Sequence, residues 1–186
     1  MAAAKHYVAL LRGVNVGGKN KVPMADLRSC VEDLGCTKVQ TYIASGNVLF
    51  ESKKSAATLT RELTAALHST FHLADTANVL ILSRQQMQTV LAQAPKGFGT
   101  QRTKYHCDAI FLMGVSAAEA FKAFSPREGV DRVWPGDLAI YSERLSAQRT
   151  KSRLSKIMSS PVYKRMTIRS WQTTEKLAVL LDELAC

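Results

Sequence analysis

An α+β fold made of two β-α-β-β-α-β units, with antiparallel sheets and helices packed on one face, is what this sequence predicts. Three observations carry that expectation. Strand-like alternation and helix-like periodicity interleave in that order. The order then recurs after about 90 residues. Finally, Val8-Ala-Leu-Leu-Arg-Gly-Val14 and Ala109-Ile-Phe-Leu-Met-Gly-Val115 stand at the same point of each repeat.

Taken in order, the apolar run Tyr7–Leu11 reads as a buried strand, and Gly13 to Asn20 as a loop rich in Gly and Asn. Pro23 suits a first helical position, Met24, Leu27, Val31 and Leu34 mark one helix face, and Gly35 suits the residue just past the end. Val39, Thr41 and Ile43 alternate before Ser45-Gly46-Asn47, and Val48 and Phe50 after it, the pattern of a hairpin. Leu59, Leu63, Leu67 and Phe71 form a second helix face. Val79–Leu82 is a short strand, and Ser83 with Gln86 makes a capping box for a helix that Pro95 stops.

The second unit opens with a strand at Asp108–Met113 and a capping box at Ser116 and Glu119. Trp134-Pro-Gly-Asp137 turns between two strands. A short helix near Arg153–Ser159, a strand near Met166–Ile168 and a closing helix bearing Leu177, Leu180, Leu181 and Leu184 complete the pattern. Both units then have the split β-α-β, ferredoxin-like order. The expected domains are 1–97 and 104–186, with 98–103 as linker.

Composition narrows the function classes. The 186 residues are 46% apolar, too rich in core formers for a disordered chain. No apolar run approaches the roughly 20 residues that cross a bilayer, so no membrane association and a cytoplasmic location are expected. Cys30, Cys36, Cys107 and Cys186 form no C-x-x-C pair, and His68 and His72 lack a third ligand, so neither metal nor cofactor is expected.

The net charge of +10 is local. Arg144 to Thr174 carries eight Lys and Arg and no acid, which leaves 17 basic and 15 acidic residues elsewhere. Cations gathered in one segment attract phosphates. A solvated basic loop is the bland alternative.

Gly13 to Asn20 fits G-x-x-x-x-G-K, but Asn20 replaces the hydroxyl residue of a nucleotide-binding loop, and Pro23 starts the helix too late. An anion-binding loop using Gly17, Gly18, Lys19 and Lys21 remains open beside a loop that only turns the chain. Ser45 has no histidine signature beside it and reads as a hairpin turn. Arg169 and Trp171 flank a helix start capped by Ser170, either as a ligand contact or as an anchor for the last helix.

Three blocks carry a family resemblance: Ala9 to Arg28, Thr41-Tyr-Ile-Ala-Ser-Gly-Asn-Val-Leu-Phe50 and Thr167-Ile-Arg-Ser-Trp-Gln-Thr-Thr-Glu-Lys-Leu177. They resemble the hallmark blocks of the mainly bacterial domain-of-unknown-function 1697 family. The resemblance implies a cytoplasmic protein of duplicated ferredoxin-like architecture and supplies no activity, substrate or catalytic residue. Two positions depart from its pattern: Ala44 where the family commonly has Gln, and Ser170 where it commonly has Asn.

The leading expectation is therefore binding of nucleic acid or another phosphate-bearing ligand. The candidate residues are Arg12, Asn15, Lys19, Lys21, Ser45 and Asn47 in the first half and Arg149, Lys151, Arg153, Arg169 and Trp171 in the second. The alternative is a small enzyme acting on an anionic metabolite between the halves, with Asp108 and Ser45 as reactive groups.

Overall fold

The computed structural model describes residues 3–18, 20–73 and 77–186. These divide into unit 1, Met1–Met87 with Leu177–Cys186, and unit 2, Gln88–Lys176.

In unit 1, β1 (Lys5–Arg12), α1 (Met24–Asp33), β2 (Thr37–Tyr42), β3 (Asn47–Ser52), α2 (Ala56–Phe71) and β4 (Asn78–Ser83) follow one another. The sheet runs β2-β3-β1-β4, with each pairing antiparallel. Tyr7, Ala9 and Leu11 of β1 alternate onto one face, where with Val48 and Phe50 they meet Leu27 and Val31 of α1 and Leu59, Leu63 and Leu67 of α2. Val8 and Leu10, on the other face, are buried too. Burial on both faces is why β1 reads as a continuous apolar run rather than an alternation. Ser55 Oγ caps α2 by accepting from Thr58 N at 3.1 Å. The capping box at α3 (Arg84–Ala92) forms as expected: Gln86 N donates to Ser83 Oγ at 3.3 Å and Ser83 N to Gln86 Oε1 at 2.9 Å.

Unit 2 repeats the order with β5 (Tyr105–Leu112), α4 (Ala117–Lys122), β6 (Asp131–Pro135), β7 (Ala139–Leu145), β8 (Met166–Ser170) and α5 (Trp171–Leu184), and its sheet runs β6-β7-β5-β8. Ile110, Leu112, Ile140 and Met166 pack with Ala120 of α4 and with Ile157. Both units have the same antiparallel strand order, that of a duplicated ferredoxin-like α+β fold.

Two local expectations change and a third is refined. The short helix expected near Arg153–Ser159 forms as a 3-10 helix, Leu154–Ser159, and two more 3-10 helices, Ser146–Lys151 and Pro161–Arg165, flank it. Four serines and Pro161 within Ser152–Pro161 compete for backbone hydrogen bonds and break any longer α-helix. Ile43 lies in the hairpin turn at φ 49°, not in the strand, and the β2–β3 register shifts between Thr37 and Gln40, where Lys38 has φ 50°. The 98–103 stretch is no open linker, because Phe98 is buried against Trp134, Tyr141 and Trp171, with ring centroids at 6.0, 5.6 and 5.0 Å. The end of α5 belongs to unit 1, where Asp182 pairs with Arg84 at 2.6 Å. Among the described residues, no helix is long and apolar enough to cross a membrane.

Candidate functional site

The glycine loop and the Ser45-Gly46-Asn47 turn come together in unit 1, and their polar atoms hold each other. Asn15, at φ 55°, donates through Nδ2 to Val22 O (3.0 Å) and Ala44 O (2.8 Å), while its Oδ1 accepts from Val22 N at 2.8 Å. Asn47 is fully buried and donates through Nδ2 to Tyr42 O and Ser45 Oγ, both at 2.9 Å. Leu11 N donates to Gly46 O at 2.8 Å. The amides of Asn15 and Asn47, expected as ligand contacts, staple two loops in this fold. The contact to residue 44 runs through its backbone carbonyl, so the alanine there keeps it. Arg12 and Lys21 flank this assembly, half-buried and exposed respectively. Lys19 lies outside the described residues.

Gly46 shows how closely the loops meet. At φ +78°, an added Cβ would stand 2.7 Å from Val14 Cγ2 and 2.8 Å from Leu11 Cβ. Gly46→Ala is expected to destabilise the protein by about 2–4 kcal/mol, from left-handed backbone strain plus overpacking. Urea unfolding within about 0.5 kcal/mol of wild type would contradict the stapling.

At the start of α5, Ser170 Oγ accepts from Thr173 N at 3.2 Å, a cap that serine supplies where the family commonly has asparagine. Trp171 is 5% exposed and packs edge-on against Phe98 and Tyr141. Arg169 is 7% exposed, its Nη1 donates to Thr167 Oγ1 and Ile168 O, and burial lowers its pKa to about 10. Arg169 and Trp171, expected as ligand contacts, thus build the sheet and anchor α5.

Arg149, Lys151 and Arg153 behave differently. They lie exposed on the 3-10 segment together with Lys156 and Lys164, and among the described residues none of these five side chains forms an ion pair. Buried Leu154 and Ile157 anchor the segment. So does Asp131, whose Oδ2 accepts from both Arg153 N (2.8 Å) and Arg127 N (2.9 Å). The charge is thus carried on a fixed scaffold.

The opposite sheet face holds a group absent from the sequence-based candidates. Register pairs Cys107 with Glu143 and Arg132 with Glu143, so the three side chains share one face. Cys107 Sγ donates to Glu143 Oε2 at 3.7 Å, and Arg132 pairs with Glu143 Oε1. Burial first, then the Glu143 carboxylate, raises the Cys107 thiol to about 11 against the opposing Gly99 amide. Asp108 alternates to the other face, near His106 (3.2 Å) and Arg144 (3.9 Å), and burial raises its pKa.

Iodoacetamide at pH 8 is expected to alkylate exposed Cys186 rapidly and buried Cys30, Cys36 and Cys107 only on unfolding, since burial raises the pKa of each of those three thiols. Peptide mass spectrometry showing Cys107 labelled as fast as Cys186 would contradict this environment.

A family model described as "Protein of unknown function (DUF1697)" matches residues 4–141. The chain belongs to this family. The DUF1697 resemblance read from the three sequence blocks is thereby confirmed, and the two blocks inside the matched span are the ones that staple each other. The conserved bacterial protein SP0830 from Streptococcus pneumoniae is 30% identical, with a TM-score of 0.84 over 96% of this chain and 99% of that one. No curated protein matches. The description of the DUF1697 model assigns no function.

Proposed function

We propose that this DUF1697 protein binds a polyanion, nucleic acid foremost, through the 3-10 segment of unit 2. The supporting observation is the set of five exposed cations, Arg149, Lys151, Arg153, Lys156 and Lys164, with no carboxylate between Arg144 and Thr174. Because buried Leu154 and Ile157 already hold the backbone of this segment, binding spares the cost of ordering it while phosphates replace the cations' counterions.

Fluorescence anisotropy with labelled single-stranded RNA, single-stranded DNA and duplex DNA tests the proposal. If the five cations contact phosphates, log K against log salt falls with a slope of about −3.5 on single strands and about −4.5 on duplex. Absence of binding at about 50 mM salt, or a slope shallower than about −1, overturns it.

A further inference from the structure

Unit 2 also contains a cavity of about 180 Å³ on the Cys107 face of its sheet, beneath the Pro95–Gln101 loop. Its walls include Phe98, Tyr105 and Trp134, and Glu143, only 5% exposed, lies among them. A smaller cavity of about 110 Å³ adjoins it and shares Gly99, Tyr105 and Cys107. Glu143 Oε1 is buried, and among the described residues its partner is the Arg132 guanidinium, while Oε2 accepts from Cys107 Sγ. That guanidinium lies over the Tyr105 ring at 4.9 Å and the Trp134 ring at 5.5 Å, while its own side chain is 56% exposed. A planar N–H donor group thus already stacks on these rings and faces this carboxylate.

We propose that the cavity binds a guanine base, stacked on Trp134 or Tyr105 and read by Glu143. The chemistry selects the ring. Arg132 and Lys96 line the cavity, which disfavours a cationic ligand and suits a neutral ring bearing a phosphate. A carboxylate only accepts hydrogen bonds, and Cys107 Sγ already donates to Oε2, so the best-fitting base offers Oε1 one donor in place of Arg132 and a neighbouring donor that shares Oε2 with the thiol. Guanine does so with N1–H and its 2-amino group. Adenine and cytosine place an acceptor beside the amino group, and uracil places carbonyls on both sides of its N–H. Arg132 moves outward on its exposed stem and turns to the phosphate. This inference stands apart from the polyanion reading, because the basic segment packs on the other face of the same sheet through Ile157.

Calorimetric titration of the wild-type protein with the 5′-monophosphates of guanosine, inosine and adenosine tests it without any variant. Inosine keeps N1–H and lacks the 2-amino group, so guanosine monophosphate is expected to bind about tenfold tighter than inosine monophosphate, the cost of one lost hydrogen bond to a charged acceptor, and tighter still than adenosine monophosphate. Glu143→Gln, which keeps shape but presents a donor on one side, should abolish that order, and Trp134→Ala should weaken guanosine monophosphate by about 5–150-fold. Equal affinity for the three nucleotides, no guanosine monophosphate binding at millimolar concentration, or an unchanged order in Glu143→Gln overturns the inference. Neutral guanosine should bind equally well when Arg149, Lys151 and Arg153 are replaced by glutamine, which separates this site from the basic segment. An oligothymidylate with one central guanine, compared with one without, tells a base within a strand from a free nucleotide.

Discussion

Gly99→Ala is expected to destabilise unit 2 by about 3–5 kcal/mol, since left-handed strain and forced repacking add at this residue. Gly99 sits at φ +73°, and a Cβ there would lie 2.0 Å from Trp171 Cδ1 and 2.7 Å from Trp171 Nε1. Such an overlap cannot be absorbed by a small rotation. Trp171 is held by Phe98 and Tyr141, and the Tyr141 hydroxyl is fixed by a 2.6 Å bond to Val90 O. Either the indole leaves the cluster or the Pro95–Gln101 loop lifts from the sheet. A loss of this size is a large fraction of a domain's roughly 5–15 kcal/mol. Urea unfolding followed by tryptophan fluorescence reads it directly. A variant within about 0.5 kcal/mol of wild type would show that the loop and Trp171 are not tightly packed.

Asp131→Ala is the second large effect, at about 2–4 kcal/mol, because it leaves two backbone amides without their acceptor. The carboxylate is 5% exposed and takes both Arg127 N and Arg153 N on Oδ2, while its Oδ1 is buried without a hydrogen bond. Removing an incompletely satisfied charge offsets part of the loss, which keeps the estimate below the sum for two orphaned donors. Asp131→Asn retains an acceptor oxygen and should cost less than half as much. The effect is also local: limited trypsin digestion should cut after Arg149, Lys151 or Arg153 faster in Asp131→Ala than in wild type. Equal cleavage rates, or equal stability of the alanine and asparagine variants, would contradict the clamp.

Much of the fold was legible because periodicity and caps are local. The Ser83–Gln86 and Ser116 caps, the apolar face of α2 and the run of β1 all follow from neighbours within a few residues. The 3-10 segment was less legible, because its apolar Leu154 and Ile157 are spaced as in a helix while the serines and Pro161 around them prevent one. The candidate site was only partly readable. Exposure of Arg149, Lys151 and Arg153 follows from their charge, whereas Asn15, Asn47, Arg169 and Trp171 carry functional-looking side chains in structural positions. Nothing in the chain distinguishes an asparagine that binds a ligand from one that staples a loop until the carbonyls around it are placed. The Cys107–Glu143–Arg132 group was missed for the same reason. Its members lie on three strands, and only the β5–β7 and β6–β7 registers bring them together. The one local hint was Arg132-x-Trp134, whose spacing of two puts both side chains on one face of a strand.

The most direct test of polyanion binding replaces Arg149, Lys151 and Arg153 together by glutamine and repeats the salt titration on single-stranded nucleic acid. The account predicts weaker binding at every salt concentration and a slope shallower by about 2, from three lost contacts at about 0.7 each, with thermal stability unchanged because all three side chains are exposed and unpaired. Affinity and slope equal to wild type, in a variant that melts at the same temperature, would contradict it.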